Sequence, residues 1–289
     1  MYIKSAGVCI RVSANEEVIE SIRSSIFIFQ YIPDVQLLDK CNEDKANLTI
    51  IDSSVHEFVF KNDRYVLKIS EPEKRCRDII TIIEYILERL RQRIGIYCLH
   101  GSAISFGDKG VWLWGPISGL GKTSIAIGLC QEYGFKLIGD EKILINSNGH
   151  LIGGIKHISY NKKSLEKSIS QNLNEKNETE LSKVIKLETN KVKLSFAILP
   201  IASYLAEYIE KEKWDSNKSA FHFYEELSRK IRGVSRRIID FTTPIESLDE
   251  NKISVTRSLF ANKIAESVPF CIISGNIGKI KTEISHMVM

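Results

Sequence analysis

The stretch from Val111 to Cys130 constrains the fold of this chain more than any other. Residues 111–114 (Val-Trp-Leu-Trp) form a short apolar run typical of a buried strand, and residues 124–130 carry apolar side chains at helical spacing. Between them lies the turn Gly-Pro-Ile-Ser-Gly-Leu-Gly-Lys-Thr, residues 115–123. A strand, a glycine-rich turn ending in Gly-Lys-Thr and a helix, in this order, predict an α/β domain with a phosphate-binding loop.

The residues of this loop have separate predicted tasks. Lys122 is expected to reach the β- and γ-phosphates of ATP, and the hydroxyl of Thr123 is expected to hold Mg²⁺. Pro116 stands where the usual spacing of such loops has a glycine, with Gly115 one position earlier. The predicted nucleotide-binding residues are Ser118, Gly119, Leu120, Gly121, Lys122, Thr123 and Ser124.

An acidic pair follows the next predicted strand, residues 135–138. Asp140 and Glu141 are expected at the carboxyl end of that strand, where α/β folds collect functional groups. No separate apolar run followed by an aspartate offers itself as a Walker B segment, so this pair must both accept a proton from an acceptor hydroxyl and hold Mg²⁺. From the residues alone, the division of these two tasks stays open.

Three motifs together resemble the HPr kinase/phosphorylase family: His100-Gly101, the loop Ser118–Thr123 and Asp140-Glu141. The resemblance covers roughly residues 96–280. It implies an HPr-kinase-like P-loop kinase domain over residues 94–289 behind a smaller α+β domain over residues 1–93. It also implies an ATP-dependent phosphotransferase in which Asp140 is the base, Glu141 the metal-side carboxylate, and His100 orients the base or the acceptor. Glu141, where the family usually has Asp, and Pro116 depart from its pattern.

Three hypotheses concern the acceptor. The chain resembles the archaeal RNA kinases of this family, which phosphorylate a tRNA ribose 2′-hydroxyl; its net charge of +4 permits an RNA partner. The second hypothesis is a protein or peptide serine kinase, and the third is a nucleotide-binding sensor without turnover, which Pro116 motivates. The first domain is expected to bind the acceptor. Weaker candidates for substrate or phosphate contacts are Lys156, His157, Arg232, Arg236 and Arg237.

Composition and patterning bound the remaining possibilities. The six cysteines are scattered without metal-ligand spacing, which argues against a structural metal site. No apolar run has the length of a membrane span and the N-terminus does not resemble a signal peptide, so a cytoplasmic protein without a membrane partner is expected. Members of the family are often homo-oligomers, and the resemblance allows one here.

A few further elements are predicted from periodicity. Residues 75–93 are expected to form a helix that buries Ile79, Ile83, Ile86 and Leu90 and exposes its Arg and Glu side chains. Residues 192–199 and 203–209 are expected to be two strands separated by Pro200. The polar stretch 161–183 is expected to be a surface insertion.

Overall fold

The computed structural model describes residues 1–41, 44–156, 185–232, 237–238 and 243–289. The predicted insertion at 161–183 lies outside the described residues. The helices are α1 (Glu16–Ser24), α2 (Phe27–Tyr31), α3 (Cys76–Arg93), α4 (Lys122–Tyr133), α5 (Ser216–Ser228), α6 (Asn251–Ser267) and α7 (Ile277–Val288), with a 3₁₀ turn at Pro72–Lys74. Together with the strands they make a mixed α/β protein. Within the described part of the chain, no helix is long and apolar enough to cross a membrane.

The strands of the described residues belong to three sheets. They are β1 (Tyr2–Ser5), β2 (Val8–Ser13), β3 (Val35–Leu38), β4 (Asp44–Asp52), β5 (Glu57–Lys61), β6 (Arg64–Ile69), β7 (Ile96–His100), β8 (Ser102–Phe106), β9 (Lys109–Leu113), β10 (Lys136–Asn146), β11 (His150–Ile155), β12 (Val192–Ala202), β13 (Glu210–Lys213), β14 (Arg237–Ile238), β15 (Thr243–Pro244) and β16 (Phe270–Gly275).

The chain divides into two compact units. The first contains Met1–Cys98 and Glu225–Arg257, and the second contains Leu99–Tyr224 and Ser258–Met289. The predicted boundary between residues 93 and 94 lies five residues before the end of the first segment. Residues 225–257, which the prediction assigned to the kinase domain, belong to the first unit because Ile231, Ile245 and Leu248 are part of its core.

The first unit is built on a six-stranded sheet with the order β3-β1-β2-β4-β6-β5. The pairs β2–β4 and β4–β6 are parallel, and the outer pairs are antiparallel. Helix α3 begins one residue after the predicted start and buries the predicted apolar stripe. The expectation that its charged side chains are exposed is wrong for Glu84, Glu88 and Arg91, which are fully buried and pair with one another.

The second unit is built on a larger sheet with the order β11-β10-β8-β9-β12-β16-β13, to which β7 adds beside β10. Strands β9, β12 and β16 are mutually parallel, so their carboxyl ends share one edge. Strand β11 pairs with both β10 and β12, which curls the sheet back on itself. Helices α4 and α7 pack on each other and on the sheet through Ile125, Leu129, Ile280 and Ile284.

Two strand predictions in this unit are wrong. Strand β12 continues through Pro200 to Ala202, and residues 203–209 form a loop rather than a second strand. Pro200 lies beyond Ile198, the last residue of β12 that pairs with β9, so the strand can accommodate a residue without an N–H there. Strand β10 continues through Asp140 and Glu141 to Asn146. The acidic pair therefore lies inside a strand rather than at its end.

Candidate active site

The predicted phosphate loop connects β9 to α4. Gly119 and Gly121 have φ angles of +85° and +90°, in the left-handed region that favours glycine. A Cβ atom on Gly121 would lie only 2.8 Å from the Cβ of Ala202, so this position also lacks room for a side chain. The first helical bond runs from Ile125 N to Gly121 O, which leaves the preceding N–H groups of α4 outside the helical ladder. The turn and helix end have the form of an anion-binding site.

Lys122 is the first residue of α4 and directly follows the glycine-rich turn. Its side chain is buried, and its Nζ donates a hydrogen bond of 2.8 Å to the carbonyl of Ile117 across the loop. Ser118, Gly119 and Pro116 are exposed on the outer side of the turn. Pro116 has no N–H to offer an anion, so the donors of this loop must come from the residues that follow it.

Asp140 lies directly behind the start of α4. The Oγ1 of Thr123 donates to the carboxylate, 3.1 Å from each of its oxygens, and the Oγ of Ser102 also donates to Oδ1. The side chain is buried, with the residue only 2% exposed. Burial raises the pKa of Asp140 to about 6, because it removes the water that would otherwise stabilise the ionised carboxylate. The hydrogen bonds from Ser102 and Thr123 act in the opposite direction.

Glu141 occupies a bulge in β10. Its φ is +62°, and the register of β10 with β11 shifts between Asp140 and Ile143. The bulge separates the two carboxylates: that of Asp140 is buried, and that of Glu141 is 60% exposed. A left-handed residue that is not glycine stores conformational strain, and such strain is concentrated at functional sites.

The bulge also joins Glu141 to the His100-Gly101 corner. The carbonyl of Glu141 accepts hydrogen bonds from Gly101 N at 3.3 Å and from His100 Nδ1 at 3.0 Å, and its carboxylate lies 3.6 Å from the same nitrogen. Gly101 has φ +138°, and a Cβ there would lie 2.2 Å from the carbonyl oxygen of Leu113. The glycine is therefore required where this corner passes the end of β9.

The tryptophans of the protein gather around the same edge. Trp112 Nε1 donates to the carbonyl of His100 at 3.1 Å, which helps to hold the corner in place. The rings of Trp112 and Trp114 are 5.4 Å apart, as are those of Trp114 and Trp214. Since the chain has three tryptophans, its whole indole fluorescence arises from this cluster, in which Trp114 directly precedes Gly115 of the predicted loop.

The structure thus brings together most of the predicted site residues: the loop 118–124, Asp140, Glu141 and His100. Lys156 is exposed and follows Ile155, which pairs with Asp140 in the sheet. The glycines before it, Gly153 and Gly154, lie in strand β11. Ser102 was not predicted, because a lone serine in a strand carries no distinguishing pattern.

Arg232 is the one other weak candidate whose side chain the structure describes. Arg232 belongs to the first unit, where it forms an ion pair of 2.9 Å with Glu225. His157 and Arg236 lie outside the described residues, as does the side chain of Arg237.

No protein-family model and no curated protein matches the chain. The roles assigned to the site residues therefore follow from their own contacts, burial and chemistry.

The strain at Glu141 can be measured with two variants that both remove the carboxylate. Glu141→Gly is expected to be more stable than Glu141→Ala by about 1 kcal/mol, because only glycine adopts a positive φ without steric cost. Urea denaturation of the two proteins measures the difference. Glu20 lies exposed in the middle of α1 and is the matched control, where the order should reverse because alanine favours a helix. Equal stability of the Glu141 variants would contradict the strain.

Proposed function

We propose that this protein is an ATP-dependent phosphotransferase with an alcohol group as acceptor, built on an HPr-kinase-like P-loop domain. One observation carries the proposal: the hydroxyl of Thr123, next to Lys122 at the start of α4, bonds to the buried carboxylate of Asp140. A lysine, a hydroxyl and a carboxylate around a glycine-rich turn are the groups that phosphoryl transfer requires for positioning and for charge neutralisation.

The donor set fits a magnesium nucleotide. Hard oxygen ligands suit Mg²⁺, and the hydroxyl of Thr123 and the carboxylate of Asp140 already lie within 3.1 Å of each other. These two residues would hold the ion, which would neutralise charge on the phosphates when bound. Lys122 and the N–H groups at the start of α4 would hold the phosphate oxygens.

This assignment exchanges the roles that the family resemblance implies for the two carboxylates. Thr123 bonds to Asp140 rather than to Glu141, which favours Asp140 as the metal-side group. Glu141 has an exposed carboxylate beside His100, so it is the group that an acceptor hydroxyl can reach and the better candidate to accept its proton. His100 would orient Glu141, and Lys156 would attract the acceptor or the phosphates.

The acceptor that we propose is the ribose 2′-hydroxyl of a tRNA, with a serine hydroxyl of a protein or peptide as the alternative. The sequence resemblance and the basic net charge support RNA. Arg229 and Arg232, in the basic run from Ser228 to Arg237, form ion pairs with Glu226 and Glu225. Because these two arginines already pair with glutamates, the basic run gives less support to an RNA acceptor than its sequence suggests.

Labelling from γ-labelled ATP tests the proposal. The protein is incubated with Mg²⁺ and either total small RNA or a protein extract.

Lys122→Ala is expected to lower the affinity for ATP by about 10- to 100-fold, because a charge-assisted hydrogen bond to phosphate is lost. The change in tryptophan fluorescence on ATP addition measures this affinity. Lys263, exposed on α6, is the matched control and should behave as wild type when replaced by alanine.

Each labelling outcome has a distinct meaning. Label in tRNA that disappears in Lys122→Ala would support an RNA kinase, and mapping of the labelled nucleotide would then identify the hydroxyl. Label in protein alone would identify a serine kinase. ATP binding that depends on Lys122 without transfer to either pool would indicate a nucleotide sensor and contradict the enzyme.

A further inference from the structure

The loop of residues 203–209, between β12 and β13, exposes an unusual amount of apolar surface. Tyr204 is 77% exposed, Leu205 92% and Tyr208 80%. Contiguous exposed apolar groups on a folded protein commonly mark a binding surface, whereas isolated ones do not. Ile117, at the tip of the phosphate loop, is exposed as well.

This loop begins against the phosphate loop. Ala202 N donates a hydrogen bond of 3.3 Å to the carbonyl of Leu120, and the Cβ of Ala202 lies where a side chain on Gly121 would be. Two residues of extended chain span at most about 7 Å, so the Cα of Tyr204 lies within that distance of the Cα of Ala202. Tyr204 therefore lies close in the chain to Ala202, the residue that contacts the predicted phosphate loop.

The loop is anchored to the body of the second unit, so its exposed side chains have a defined base. Ser203 N donates to the carbonyl of Gly275 at 2.9 Å, and Lys279 Nζ on α7 donates to the carbonyl of Glu207. The backbone of Tyr208 lies against Gly275, where a Cβ would be 3.1 Å from the Tyr208 carbonyl oxygen. The loop thus covers the carboxyl ends of β12 and β16, beside the end of β9 that leads into the phosphate loop.

We infer that the 203–209 loop is the platform on which the base of the donor nucleotide stacks, through Tyr204 and Tyr208. A nucleoside continues outward from phosphates held at the start of α4, and aromatic rings on an anchored loop next to that point provide a π-face for its base. This inference rests on the proposed function. Since stacking accepts every base, the platform is expected to bind ATP and GTP with similar affinity.

A probe without a base separates this inference from the proposed function. The affinities of ATP and of inorganic tripolyphosphate are measured by calorimetry on the full chain. The double variant Tyr204→Ala/Tyr208→Ala is expected to lower ATP affinity about tenfold and to leave tripolyphosphate affinity unchanged, because only the stacking contact is removed. The double variant Tyr204→Phe/Tyr208→Phe keeps both rings and should retain wild-type affinity for both probes.

Several results would overturn the inference. If the alanine variant loses both affinities equally, the loop supports the phosphate site and does not stack the base. If ATP affinity is unchanged but the affinity for a tRNA acceptor falls, the rings serve an acceptor base instead. If the wild-type protein binds ATP no better than tripolyphosphate, the base has no subsite, although the proposed function stands. Failure of the wild-type protein to bind either probe would overturn the proposed function as well.

Discussion

Asp140→Asn is expected to abolish most phosphoryl transfer and to stabilise the protein at the same time. Transfer should fall by about 1,000-fold, because the amide lacks the negative charge that Asp140, beside the neutral hydroxyl of Thr123, would offer to the metal ion of a bound nucleotide. The free energy of unfolding at pH 7 should rise by up to about 3 kcal/mol, because the folded protein no longer has to bury an ionised carboxylate. Opposite effects on activity and on stability are typical of residues retained for function.

The pH dependence of the stability gain follows from the shifted pKa. Burial raises the pKa of Asp140 from 3.8 to about 6, so between these pH values the folded state binds the proton that the unfolded state has released. The contribution of this group to the free energy of unfolding therefore decreases as the pH rises through that window. Asparagine has no proton to lose, so its advantage should be full above pH 6 and absent below pH 4.

Urea denaturation at pH 4 and pH 7, with a chelator present, measures this effect. Asp108 lies exposed in the turn before β9, and Asp108→Asn is the matched control that should change neither stability nor transfer. A stability gain of equal size at both pH values would contradict the assignment to ionisation. A variant that keeps its transfer activity would remove Asp140 from the site.

The sequence predicted the secondary structure around the Gly-Lys-Thr turn, because its pattern is local. A strand, a Gly-Lys-Thr turn and a helix occupy adjacent residues, and the structure forms each of them in place. The segment 203–209, which is predicted as a strand, forms a loop after β12. Its actual path depends on contacts with Gly275 and Lys279, which are more than 70 residues away.

The bulge at Glu141 shows why the site could not be completed from sequence. Its position depends on where β10 pairs with β8 and β11, and no local signal marks a glutamate for a left-handed backbone. The return of residues 225–257 to the first unit is likewise a long-range event. The hydroxyl of Tyr85 binds the carbonyls of Ile231 and Glu246 at 2.7 Å across about 150 residues of chain. The C-terminal helix α7 is absent from the predictions, although Ile280, Ile284 and Val288 have helical spacing.

The charged side chains of α3 illustrate the same limit. A helical stripe of isoleucines predicts one buried face, and charged residues on the other faces are normally solvated. In the first unit the sheet covers one side of α3 while residues from 225–257 contact another. Glu88 accepts a hydrogen bond from Cys98 N at 3.1 Å, and Gln92 donates to the carbonyl of Leu227 at 2.9 Å. Contacts with both segments of this unit therefore bury these polar groups.

Arg91 is the centre of this buried network. Its guanidinium lies 2.9 Å from Glu84, 2.8 Å from Glu88 and 2.7 Å from the hydroxyl of Ser5. Burial alone would lower the pKa of Arg91, but the charges of Glu84 and Glu88 outweigh it and raise the pKa, so the residue stays charged. A carboxylate oxygen of Glu84, a carboxylate oxygen of Glu88 and the Sγ of Cys98 lie within 4.8 Å of one another, a spacing that a metal ion could bridge. Here the guanidinium of Arg91 supplies the positive charge that balances the two carboxylates.

Arg91→Met is therefore expected to lower the free energy of unfolding by about 3–5 kcal/mol, because two carboxylates then remain buried without a counter-charge. Arg23→Met is the matched control and should cost less than about 1 kcal/mol, since Arg23 forms only exposed pairs with Glu20 and Asp39. The triple variant Arg91→Met/Glu84→Gln/Glu88→Gln should recover much of the loss, because the uncompensated charge is removed with the arginine. Urea denaturation compares the three proteins. A triple variant no more stable than Arg91→Met would mean that lost packing of the arginine stem, rather than unpaired charge, accounts for the cost.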